Sequence, residues 1–149
     1  MRYSAEERID KYNDLIQIGI DGRDGYNNAA ENVDDLEMEK VFREFAQQRE
    51  GYVRELQRLV RLLDGEIADS GSTSATLHRA WMDVKSAFTS GDREAIINAC
   101  ITGEESALDE YEEALEDEEM TAEAKDVIER HYRGIRQALE TIKAFKVHH

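Results

Sequence analysis

"MEKVFREFAQQREGYVRELQRLVRLL", residues 38–63, holds the pattern from which the fold can be read. Met38, Phe42, Phe45, Arg49, Tyr52, Leu56, Leu59 and Leu63 recur in alternating steps of four and three. A heptad seam of that length belongs to a long helix that buries one face against partner helices. Every member is apolar or aromatic except Arg49. A buried lone charge costs several kcal/mol, so this seam asks for a carboxylate somewhere else in the chain.

Working outward, Ser4 with Glu7 forms an S-x-x-E capping box, which starts a first helix near Ala5. Its stripe runs Ile9, Tyr12, Ile16, Gly19, Arg23, Tyr26, Ala30, Val33 in the same steps. "DGRDGYNN" (21–28) changes the composition but not the phase, which predicts a continuous helix with a soft or bulged middle. "NVDDLEME" (32–39) then makes the turn into the second helix. Beyond it, "DGEIADSGSTSAT" (64–76) is rich in Gly, Ser, Thr and Asp and reads as a loop. A short helix follows, with Leu77, Trp81, Val84 and Phe88 on one face. Asp92 is placed to cap a third long helix that reaches about Leu115. Thr121 caps a fourth, striped by Ala124, Ile128, His131, Ile135, Ala138, Ile142 and Phe145.

Composition agrees with one all-α domain over residues 1–149. The chain has no proline, 40% apolar and 36% charged residues, as long uninterrupted helices require. An antiparallel pair, a long crossover carrying the short helix, and a second antiparallel pair make a ferritin-like up-down four-helix bundle. No apolar run approaches ~18 residues and no apolar signal core opens the chain, so a cytoplasmic location is expected. A net charge of −15 argues against nucleic acid and anionic membrane as partners. A homodimer or an unidentified protein partner is the expectation that remains. Cys100 is alone and sits at an apolar position, which reads as a buried thiol rather than a nucleophile.

The carboxylate that Arg49 asks for is in "NACITGEESALDEYEEAL" (98–115). Glu104 breaks that helix's apolar stripe of Ile97, Ile101, Leu108, Tyr111 and Leu115. At about 1.5 Å per residue, Arg49 and Glu104 fall at one level, and His131 falls within about a turn of it. The expectation is a buried, hydrogen-bonded Arg49–Glu104 pair with His131 as a close third member. Gly22 or Gly25, Gly51, Gly103 and Gly134 put one glycine near the middle of each long helix. Such positions cost about 1 kcal/mol each against Ala, which suggests close backbone approach or a small space beside the polar residues.

Bundles of this topology often hold two metal ions between Glu-x-x-His pairs. Here Ile128 stands three residues before His131 and Ala75 three before His78, so those pairs are missing. The expected cofactor is therefore none, and the expected reading is a non-catalytic binding or stress-related module. The alternative is iron or another divalent metal at an atypical site of Glu104, His131, Glu31 and Asp21, which needs a bulge at 21–25. "DGRDGYNNAAEN" opens like a calcium loop but has Tyr26 and Asn32 where Gly and Glu are required. The acidic run "EESALDEYEEALEDEE" (104–119) reads first as a solvated helix face.

"YNDLIQIGIDGRDGY", the following "AAE", "LHRAWMDVK" and "GEESALDEYEEAL" together resemble a small bacterial ferritin-like four-helix-bundle family of unassigned function. The resemblance covers nearly the whole chain. It implies the bundle with its crossover and a cytoplasmic bacterial protein, and it carries over no activity.

Overall fold

The computed structural model describes residues 4–67 and 92–147, which form four long helices and no strand. α1 spans Ala5–Asn32, α2 Leu36–Leu62, α3 Arg93–Ala114 and α4 Ala122–Val147. Each begins where a short polar side chain takes up an amide hydrogen left over in the first turn. Ser4 and Glu7 close the reciprocal box on α1. Asp35 accepts from the Met38 N–H at 3.1 Å, Asp92 from the Glu94 N–H at 3.1 Å and Thr121 from the Ala124 N–H at 3.2 Å. α2 ends in a Schellman motif. The Gly65 N–H donates to the Val60 carbonyl and the Asp64 N–H to that of Arg61, with Asp64 in the left-handed region at φ 57°.

Ion pairs fix the direction of every helix. Arg8 and Lys11, early in α1, meet Asp117, Glu110 and Glu113 around the end of α3. Arg58 and Glu55, late in α2, meet Glu123 and Arg130 early in α4. α1 thus lies antiparallel to both α2 and α3, and α4 antiparallel to both α2 and α3's own direction. α2 and α3 sit across the diagonal and run the same way. α2 ends at the lower end and α3 starts at the upper end, where Arg93 lies 3.8 Å from Asp35. The short crossover helix expected around Trp81, with His78, lies outside the described residues.

Two expectations about α1 need correction. The helix is unbroken from Ala5 to Asn32, with no bulge at 21–25. The heptad phase runs straight through "DGRDG", so the hydrogen-bond ladder has no extra residue to absorb. Asp21 is consequently half-buried beside the seam and Glu31 faces solvent. The glycines also divide differently. Among the described residues, a Cβ on Gly51 would meet nothing within 4 Å, whereas one on Gly19 would lie 2.6 Å from the Val53 side chain. Close approach of α1 and α2 is centred on Gly19, and that of α2 and α4 on Gly134, where a Cβ would collide with the Tyr52 hydroxyl.

Above the polar level, the core is aromatic. Tyr26 stacks on Phe42 at 5.8 Å and sits edge-on to Phe45 at 5.4 Å, and Phe42 meets Phe145 at 6.5 Å. Such offset and edge contacts are worth roughly 0.5–1.5 kcal/mol each beyond burial. Below it, Tyr12, Leu15, Leu56, Leu59 and Ile128 close the interior.

Candidate functional site

Arg49 and Glu104 face each other across the diagonal between α2 and α3, and the bundle seals them from solvent at 1% and 0% exposure. The contact is a two-pronged fork. Nη1 donates to Oε1 and Nη2 to Oε2, each at 2.6 Å. The third edge of the guanidinium, Nε, donates to the Gln48 amide oxygen at 3.2 Å. Its face lies 5.4 Å from the centre of the Tyr26 ring, within cation–π range. Burial pushes the Arg49 guanidinium down, but the charge and hydrogen bonds of Glu104 more than reverse this and leave it above its ordinary value. The guanidinium stays charged, and the two-pronged geometry is what compensates its desolvation.

His131 occupies the same level but does not bond to that pair. Its Nδ1 lies 3.1 Å from the Tyr111 hydroxyl and its Nε2 2.9 Å from Glu55 Oε1. Glu55 is also held by a fork from Arg130, at 3.0 and 2.8 Å. Tyr52 lies flat on the imidazole, with ring centres 3.8 Å apart and planes 16° apart. Burial drives the His131 imidazole down to about 4, with Glu55 only partly opposing it and Arg130 and Arg49 adding to the fall. The ring is neutral at physiological pH. The Tyr111 O–H then donates to Nδ1, and Nε2–H donates to the Glu55 carboxylate. Arg130 holds the Glu55 carboxyl below the usual carboxylate range, with His131 adding to the effect. The third member of the expected layer thus has its own partners, because a neutral imidazole needs one donor and one acceptor rather than a carboxylate already taken by Arg49.

The neighbouring groups are chemically quiet. Cys100, one turn before Glu104, is fully buried. Burial and the Glu104 charge both push its thiol up, so the thiolate is strongly disfavoured. Burial raises the Tyr111 phenol far above its ordinary value, and burial and Glu104 do the same to Tyr26. Glu104, His131, Asp21 and Glu31 are not gathered into one donor set. Among the described residues, no group of three or more His, Cys, Asp or Glu side chains is arranged to hold a metal ion.

Several members of this layer are missed by seam reading. Glu55 lies one position outside the stripe and looks like a surface carboxylate. Its signal is the Tyr52–Glu55 spacing, which stacks the two on one side of α2. Tyr111 and Tyr52 count as apolar in a periodicity, although each brings a hydroxyl. Gln17 is also missed. It is 1% exposed, and neither of its amide atoms has a hydrogen-bond partner among the described residues.

Among the described residues, no helix is long and apolar enough to cross a membrane. A family model described as "Domain of unknown function (DUF2383)" matches residues 7–117, most of the chain's length. No curated protein matches it.

Proposed function

The chain belongs to the domain-of-unknown-function family DUF2383, and on that premise we propose that it is a non-catalytic helical bundle, ferritin-like in its connectivity. It serves as a binding or stress-related module in the bacterial cytoplasm, with Arg49, Glu104 and His131 as structural groups. The observation that carries this reading is the engagement of every polar atom of the Glu104 carboxylate and the His131 ring. Both Glu104 oxygens take a guanidinium hydrogen, and both His131 nitrogens have partners. A nucleophile, a general base or an open coordination position would need at least one of them free.

The test compares wild type, Glu104→Ala and the double variant Arg49→Met/Glu104→Leu. Each is measured for bound metal, for Fe(II) uptake under anaerobic titration and for urea stability. The expected result is no stoichiometric metal and a loss of about 3–5 kcal/mol in Glu104→Ala, which strands a buried guanidinium. The double variant should recover most of that loss, since well-packed apolar replacements of a buried pair are often neutral or stabilising. Stoichiometric iron in the wild type that disappears in Glu104→Ala would replace this reading with an atypical metal site.

A further inference from the structure

On the outer face of the second hairpin, α3 and α4 enclose a groove of about 600 Å³. Its two walls carry opposite charge. The α3 wall presents Glu105, Asp109 and Glu112 and no base, while the α4 wall presents Arg136 and Lys143 with Glu140 between them. Leu108, Leu139 and the Tyr132 ring form the floor. Glu112 accepts a hydrogen bond from the Tyr132 hydroxyl at 2.8 Å. Glu105, Asp109, Arg136 and Lys143 form no ion pair among the described residues, although the Arg136 guanidinium lies 5.8 Å from the centre of the Tyr132 ring. Some bases elsewhere on the surface are paired with neighbouring acids, as Lys11 is with Glu110 and Glu113 and Arg130 with Glu55. Lys40, Arg61, Lys125, Arg133 and Lys146, like the groove charges, form no ion pair among the described residues. What sets the groove apart is the separation of its charges onto two walls. Unspent charges of both signs, separated onto facing walls over an apolar floor, are a pattern complementary to itself.

We propose that this groove is the interface of a two-fold dimer in which α3 of one protomer lies on α4 of its partner. The charges also select the direction of the axis. Rotation about an axis parallel to the helices keeps each residue at its height and exchanges the two walls, so acids meet bases. Rotation about an axis across the helices would set α3 on α3, with acid against acid, which like-charge repulsion opposes. The Tyr132–Glu112 contact fixes the heights. Counting from it along the antiparallel helices, Asp109 lies level with Ile135, beside Arg136, and Glu105 level with Leu139, between Arg136 and Lys143. Asp109 therefore faces the partner's Arg136, while Glu105 lies beside the partner's Glu140 and within about a turn of the partner's Lys143, so the Asp109–Arg136 pair carries most of the complementarity. This inference rests on the outer face and is independent of the polar layer.

Sedimentation equilibrium over the micromolar range tests it, with three proteins. These are the wild type, Glu105→Lys/Asp109→Lys and Arg136→Glu/Lys143→Glu, all changed only at helix-surface positions and checked for helicity by circular dichroism. The wild type is expected to dimerise, more weakly as salt rises. Each variant alone, with two walls of one sign, should self-associate at least about tenfold more weakly. An equimolar mixture of the two variants should restore the dimer, because both facing wall pairs are then opposite in sign. Recovery in the mixture shows that the variants fold. A monomeric wild type, or a dimer that both reversals leave intact, overturns the proposal. So does a monomer that instead binds a Lys-rich amphipathic peptide, which would assign the groove to a basic partner.

Discussion

At the level of the single residue, His131 is a group whose protonation folding shifts within the mildly acid range. Its imidazole protonates at about 4 in the native chain and near 6.5 once unfolded. The unfolded state therefore binds the extra proton between those values, and native stability falls as pH drops through that window. Above about pH 6.5 neither state is protonated and nothing is lost. Between pH 7 and pH 5 the expected loss is about 2 kcal/mol from this residue. Glu55 and Asp117, held low by Arg130 and Arg8, contribute in the same direction but only at more acid pH, as they are forced to protonate. Urea unfolding at pH 7 and pH 5, in the wild type and in His131→Gln, separates the two. The variant should lose most of the difference, and an equal slope in both proteins would assign it to the carboxylates. Of the polar residues involved, Arg49, Glu104 and His131 could be found from sequence because each breaks an apolar period. Glu55 and Gln17 could not, since a periodicity says which side chains point inward and nothing about which of their atoms find partners.

Helix by helix, the glycines show how the same residue serves different ends. Gly51 is exposed and, among the described residues, a Cβ there would enter empty space. Gly51→Ala should therefore stabilise by about 1 kcal/mol, the ordinary helix-propensity difference. Gly19 is buried, and an added Cβ would lie 2.6 Å from Val53 Cγ2 and 3.6 Å from the Arg49 carbonyl oxygen. Val53 is β-branched and stiff in a helix, so the two helices must part. Gly19→Ala should cost about 1–3 kcal/mol despite its better propensity. Thermal unfolding of the two variants beside wild type checks the contrast, and equal shifts would mean that the α1–α2 contact yields freely. The helices themselves were legible almost to the residue. Ser4, Asp92 and Thr121 each announce a start, and the chain places a capping hydrogen bond at each one, as it also does at Asp35 before α2. The glycine roles were not legible, because heptad phase fixes a residue's direction while the distance to the facing helix depends on both partners. For α1, an unbroken phase turned out to be better evidence than the glycine-rich composition that suggested a bulge.

Across the whole molecule, α1 with α2 and α3 with α4 form two antiparallel hairpins, and the alternation of helices and turns was enough to predict those pairs. The sequence alone left open which faces meet. That α1 lies on α3 and α2 on α4 is marked by long-range pairs such as Arg8–Asp117 and Arg130–Glu55, whose partners are far apart in the chain and resemble any other surface charge. The excess of acid over base, −15 in all, acts at this scale too. In the native bundle those charges are held close, whereas the unfolded chain spreads them, so self-repulsion lowers native stability. Added salt shortens the Debye length from roughly 30 Å at 0.01 M to about 3 Å at 1 M, which removes the long-range part of that repulsion. It also weakens the exposed ion pairs, but each of these is worth only about 0–1 kcal/mol. The Arg49–Glu104 fork, at 2.6 Å and out of solvent, is screened far less. Net charge should win. Urea midpoints measured in dilute protein, where association contributes little, should rise with added NaCl. A midpoint that falls would mean instead that the surface pairs between hairpins, and not the acidic excess, set the electrostatic balance of the fold.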